Sequence, residues 1–288
     1  MQLTQIVYLV GMPRAGTTFL YHNLELHPRI YVPFRRKTNF FSLHRDQPVA
    51  WFLEHFSGMD SEQVGIDTET LHFVDRENNA LSRIAAFNSD AKVILVVRHP
   101  GEWVWSFYKQ IQTFDKDMPP FGDFLTGKYT LVEDGREIPF NFRDGDIESR
   151  INEVRNTFGK NALVLNFDLL ARDPRILLTE IEAFLKIEDC FRSLDISHEK
   201  INASDRGHIR SLAYLLRQEW LIGLLKVLPR GLVLFCRRFY DGLSVKFASN
   251  PRKNAEEAAR NIEIARKFFA SDEKFVATLF RESDVLHG

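Results

Sequence analysis

Residues 6–18 read IVYLVGMPRAGTT, and residues 19–26 continue as FLYHNLEL. The run IVYLV is apolar on both faces, as a strand inside a parallel sheet must be. Gly11 and Gly16 then bracket a tight loop with the glycine spacing of a phosphate-binding P-loop. They let backbone N–H groups approach phosphate oxygens closely. A helix opening at Gly16 adds the positive end of its dipole, and Pro28 stops it. A Walker A loop carries lysine after its second glycine to reach the β- and γ-phosphates. This chain has Thr17 there. The loop is therefore built for a different phosphate ligand, or it is a plain strand–turn–helix connection.

The neighbouring motifs narrow that choice. KVILVV (92–97) is a second buried strand, and RHPGEWVWSFY (98–108) continues it into a helix with Pro100 in its first turn. ALVLNF (162–167) is a third strand, ILLTEIEAFLKI (176–187) an amphipathic helix, and VGID (64–67) a shorter strand. Alternating strands and helices imply an α/β fold with three layers, a central parallel sheet flanked by helices. Ligands of such sheets bind beyond the carboxyl ends of the strands, where GMPRAGTT and RHPGEW both fall. Arg14 and Arg98 offer donor forks to phosphate or sulfate groups, Thr17 and Thr18 offer hydroxyls, and Ser106 lies two turns into the helix after Arg98. Taken alone, Arg98 also suits capping a helix or pairing with Glu102, a reading weakened by the P-loop on a neighbouring strand. Residues 115–150 hold PP, DG and DG with weak periodicity and read as a long loop over the ligand edge. From Ser204 onward the pattern is helical, and the whole chain reads as a single domain.

The 288 residues are 44% hydrophobic and include 25 Phe, enough for a large core and against global disorder. Lys+Arg 38 against Asp+Glu 39 gives no reason to expect nucleic-acid binding. Two cysteines, Cys190 and Cys236, are no disulfide framework and point to a reducing, cytoplasmic setting. The segment WLIGLLKVLPRGLVLFC (220–236) is broken by Lys226, Pro229 and Arg230 and reads as a pair of core helices, with an amphipathic surface-lying helix as the alternative, rather than a transmembrane span. The nine His form no ligand-spaced cluster, so no metal is expected. Asp168 is the one acidic strand end that could hold Mg²⁺ for a nucleotide kinase.

With both phosphate motifs in order, the sequence resembles the sulfotransferases that use 3′-phosphoadenosine 5′-phosphosulfate (PAPS). GMPRAGTTFL is similar to their 5′-phosphosulfate loop, RHPGEWVWSFY to their 3′-phosphate motif, and NFDLLARDP (166–174) to a further segment of the family. NFFS (39–42) and GIDTETLHF (65–73) fall where glycan-type members carry acceptor-side motifs. The resemblance covers residues 6–187 and implies a PAPS site made by Pro13, Arg14, Ala15, Gly16, Thr17, Thr18, Arg98 and Ser106. Arg206 and Gly207 would close over the nucleotide. Arg14 and Thr17 would neutralise charge on the bridging and 5′-phosphate oxygens, while Arg98 and Ser106 would hold the 3′-phosphate. The implied reaction moves a sulfuryl group onto a hydroxyl or amine of a glycan or glycoconjugate, otherwise of a lipid or natural product, and leaves PAP. Oligomeric state is left open.

Three departures from the family pattern stand out. Lys37 occupies a position where glycan-type members often have Glu as general base; it suits an anionic acceptor or the sulfuryl oxygens better. Asp67 is then the first candidate base and His72 the next. Glu69-Thr70 replaces the usual Thr-Pro, and Trp103 replaces a frequent arginine, with core packing favoured over adenine stacking. The competing readings are a P-loop small-molecule kinase and a homologue that binds the nucleotide without turnover.

Overall fold

The computed structural model describes residues 5–35, 37–75, 79–115, 117–196 and 251–284. The chain opens with β1 (Ile6–Gly11), α1 (Thr17–Leu24) and the two-residue β2 (Ile30–Tyr31). Next come α2 (Val49–Glu54), β3 (Val64–Thr68), a 3-10 turn (Leu71–Phe73), α3 (Ala80–Phe87), β4 (Lys92–Val97) and α4 (Pro100–Gln112). Then follow α5 (Phe121–Thr126), β5 (Tyr129–Glu133), β6 (Arg136–Phe140), α6 (Asp146–Phe158), β7 (Ala162–Asn166), α7 (Phe167–Arg172) and α8 (Pro174–Leu185). The last two described helices are α9 (Pro251–Phe268) and α10 (Ala270–Asp284).

Five strands form one parallel sheet in the order β2-β3-β1-β4-β7. Every residue of β1 is buried, as an apolar run covered by helices on both faces requires. β1 lies between β3 and β4; after β1 the chain fills β2 and β3 on one side and then crosses to β4 on the other, so the strand order reverses at β1. A crevice opens at such a point beyond the strand ends, and the loop of residues 12–16 lies in it. Its register against β4 slips between Leu9 and Gly11, which turns the chain out of the ladder.

Residues 115–150 are more ordered than the sequence implies. They hold α5, the antiparallel hairpin β5–β6 and the start of α6. The hairpin turns at Asp134-Gly135, both at positive φ (50° and 75°), the backbone that a two-residue hairpin turn demands. Leu131 and Ile138 pair across the ladder, while Val132 on the other face is 64% exposed. The hairpin is rooted in aromatic packing: Phe140 lies 5.7 Å from Phe107 and 5.4 Å from Phe142, ring to ring.

The C-terminal helices brace the ligand edge. Gly101 allows this, because a Cβ there would lie 2.6 Å from Arg266 Cγ and 2.9 Å from the Ile262 carbonyl of α9. Asp272, at the start of α10, accepts from the Gly145 and Glu148 N–H groups at 2.7 and 2.8 Å and satisfies the opening of α6. Glu273 accepts from the Gly101 N–H at 2.8 Å and does the same for α4. No described helix is long and apolar enough to cross a membrane. The segment 220–236 lies outside the described residues.

Candidate active site

The loop Met12–Gly16 is fixed from three sides. The Met12 N–H donates to the Val96 carbonyl at 2.7 Å, tying it to β4. Trp103, buried in α4, donates its indole N–H to the Pro13 carbonyl at 2.7 Å and stacks on Phe107. Core packing therefore accounts for Trp103, with a tether to the loop added. Gly16 sits at φ 76° with no side chain capping α1, and a Cβ there would press on Leu170 and Phe167 of α7. The opening N–H groups of α1 thus face the crevice without a side-chain cap, an anion-binding arrangement. Arg14 at the loop's centre has φ 67°, a left-handed backbone that costs a residue with a Cβ roughly 1 kcal/mol.

The two motifs converge. Arg14 Nε donates to Ser106 Oγ at 3.4 Å, and Arg98 Nη1 donates to the Arg14 carbonyl at 3.2 Å. Arg98 also meets Glu102 at 3.7 Å and stacks on Phe167 at 4.7 Å from the ring centroid. The pairing with Glu102 that the sequence suggests is real, and it coexists with a position over the loop. Burial and then the Arg98 charge bring Arg14 down to about 10, so it stays cationic at neutral pH. Burial lowers Arg98 too, opposed by Glu102 and Asp168. Two guanidinium groups held together at a strand edge favour an anion between them. Thr17 and Thr18, half-buried, open α1 beside them. Asp168 lies 3.8 Å from His99, which also meets Glu273 at 3.0 Å; the carboxylate thus faces an imidazole.

The other wall is the acceptor side. Asp67, at the end of β3, is fully buried and accepts from the Thr38 N–H at 3.3 Å and the Thr38 hydroxyl at 2.9 Å. Burial pushes its carboxyl up to about 7 against those hydrogen bonds. Lys37 is 40% exposed and meets Glu133 on the hairpin at 3.4 Å. Its side chain is thus held by a carboxylate of the hairpin at the rim of this wall. Arg35 and His44 both reach Asp134 at 3.2 Å, so the hairpin tip is paired to these two side chains. His72 is fully buried, and desolvation drops it to about 3, which keeps it neutral. Arg206 and Gly207 lie outside the described residues. One further group stands here, which the sequence marks only as a departure from the family pattern and to which it assigns no role: Glu69, fully buried two residues beyond Asp67.

Comparison with known proteins agrees with this geometry. Residues 5–202 match the sulfotransferase domain model. Human heparan sulfate glucosamine 3-O-sulfotransferase 3B1 is 31% identical over 120 residues, which cover 42% of this chain and 30% of that protein. The membrane-associated sulfotransferase kil1 of Dictyostelium discoideum is 28% identical over 114 residues, 39% of this chain and 24% of its own length. The match thus spans less than a third of either relative. A sulfotransferase from Alicyclobacillus acidocaldarius shares the fold at a TM-score of 0.51 and 18% identity, covering 75% of this chain and 92% of that one. With the domain model running from β1 past α8, through both arginine motifs, the chain belongs to the sulfotransferase family.

Proposed function

We propose that this protein transfers the sulfuryl group of PAPS to a hydroxyl, or an amine, of a glycan or glycoconjugate. The observation that carries the reading is the meeting of Arg14, Ser106 and Arg98 within 3.4 Å contacts at one strand edge. A loop for one phosphate and a motif for another then form a single nucleotide site. Arg98 and Ser106 would hold the 3′-phosphate that ATP lacks. Arg14 and the α1 N-terminus would face the 5′-phosphate, from which the sulfuryl group leaves. In such transfers the protein mainly positions the reactants and stabilises charge, as in phosphoryl transfer. The relatives named for heparan sulfate support a glycan acceptor, and Arg35 and Lys37 supply cations beside the acceptor wall.

The test is transfer of radiolabelled sulfate from PAPS to three acceptors: a partly desulfated heparan polysaccharide, a long-chain alcohol and a simple phenol. We expect labelled polysaccharide, with one PAP released per sulfate transferred. Label on the alcohol or phenol alone would move the acceptor class. Unconsumed PAPS, with phosphate transferred from Mg-ATP instead, would overturn the reading in favour of a kinase.

A further inference from the structure

Glu69 follows β3, and its N–H still bonds the Leu9 carbonyl at 2.9 Å, so it keeps the strand's register. Residues two apart face the same side, which puts its side chain beside that of Asp67. The two carboxyls are nonetheless employed differently. Both oxygens of Asp67 accept from Thr38 and hold the segment leading to Phe40 and Phe41. Of Glu69, Oε1 accepts from the Ser42 hydroxyl at 2.5 Å. Its Oε2 is buried with no hydrogen-bond partner among the described residues. A buried carboxyl oxygen without a partner is destabilising and calls for a ligand or a chemical role. Thr70 Oγ1 and Asn39 Oδ1, both buried, are also without hydrogen-bond partners among the described residues.

We infer that Glu69 Oε2 is the proton acceptor of the transfer, a role that rests on the proposed function. As the acceptor oxygen bonds to sulfur, its proton passes to Oε2. The bond between sulfur and the 5′-phosphate oxygen breaks with its electron pair left on that oxygen, and the proton later leaves to water. Lys37, the cation at the position where glycan-type relatives often have Glu, acts on Glu69 from the neighbouring segment. The carboxylate and the cation are thus both present at this wall, with the carboxylate carried by β3's end. Lys37 and Asn39 are both pinned to Glu133 of the hairpin, at 3.4 and 3.5 Å. Lys37 and Glu133 both act electrostatically on the Glu69 carboxyl, so the three charges share this wall.

The charged groups around Glu69 are Asp67 on its own strand, Lys37, Glu133 of β5 and Arg83 of α3. Burial, the largest influence, raises its carboxyl to about 8; the Ser42 hydrogen bond and Lys37 oppose this, while Asp67 and Glu133 add to it. A base must be ionised, so turnover should rise with pH through about 8. Ser42→Ala removes a bond that favours the carboxylate, so it should move this rise to higher pH.

The experiment measures kcat against pH with PAPS and the partly desulfated heparan polysaccharide, and PAP affinity by calorimetry, for the wild type, Glu69→Gln, Ser42→Ala and Asp67→Asn. The expected result is a fall of about 100-fold or more in kcat for Glu69→Gln, with the rise abolished and PAP affinity kept. Asp67→Asn should keep the rise. Glu69→Gln with wild-type rate and profile would overturn the assignment. Should Glu69→Gln fail to fold, an unshifted profile in Ser42→Ala would overturn it equally. Failure of the underlying reading looks different: the wild type itself would neither bind PAP nor consume PAPS.

Discussion

Arg98→Ala should weaken PAP binding by about 100-fold or more while the protein stays folded. A charge-assisted hydrogen bond is worth about 1.5–3 kcal/mol net, and a guanidinium on a phosphate makes two. The side chain has a second task, because Nη1 holds the Arg14 carbonyl at 3.2 Å. Its loss would loosen the loop as well as remove a charge. Folding should tolerate this. Arg98 keeps 20% of its side chain in solvent, and Glu102 retains Arg266 as a partner at 3.2 Å. Calorimetry with PAP, beside a thermal melt, separates the two effects. Equal affinity in mutant and wild type would remove Arg98 from the 3′-phosphate.

Arg14→Ala should lower turnover by roughly 100- to 1000-fold, the effect of deleting one group aimed at developing charge. Its influence on PAP affinity should be smaller, since the α1 N-terminus and Arg98 remain. Arg14→Lys should recover part of the rate, because a lysine supplies the charge without the fork. Arg14→Gly makes the argument sharper. At φ 67° a glycine carries no Cβ penalty, so this variant should melt at or above the wild-type temperature. A stable protein with the same loss of turnover would show that the strained backbone is held for the reaction. Single-turnover rates with PAPS, measured alongside PAP affinity, decide it. An unchanged rate in Arg14→Gly would take Arg14 out of the chemistry.

The ligand edge was legible because its parts carry strong local signals. IVYLV and KVILVV are continuous apolar runs, and glycines and Pro100 mark where each chain turns. The hairpin was harder to see. Its strands alternate weakly, with Val132 outward, and the strong hairpin signal of Asp134-Gly135 is submerged among the other turn pairs of residues 115–150. Tertiary aromatic packing from Phe107 and Phe142 supplies what the local pattern lacks. The two-residue β2 leaves no periodicity to detect. Glu69 stands out in the sequence only as a departure from the family pattern, with no sign of a role, for a different reason. ETLHF after a strand looks like a polar turn, and nothing local shows that the turn is sealed. Its role emerges only once Ser42, Lys37 and the hairpin close over it from other parts of the chain. Lys37 is a similar case. Its half-exposed side chain and its pairing with Glu133 on the hairpin become visible only in the fold, because Glu133 lies far away in sequence.

The central claim is that one site reads both phosphates of a PAPS-type nucleotide. Calorimetric titration of the protein with PAP, then with ADP and with Mg-ATP, tests it most directly. The account predicts that PAP binds at least about tenfold more tightly than ADP, a difference of about 1.4 kcal/mol. Equal affinity for PAP and ADP, or a preference for Mg-ATP, would contradict it.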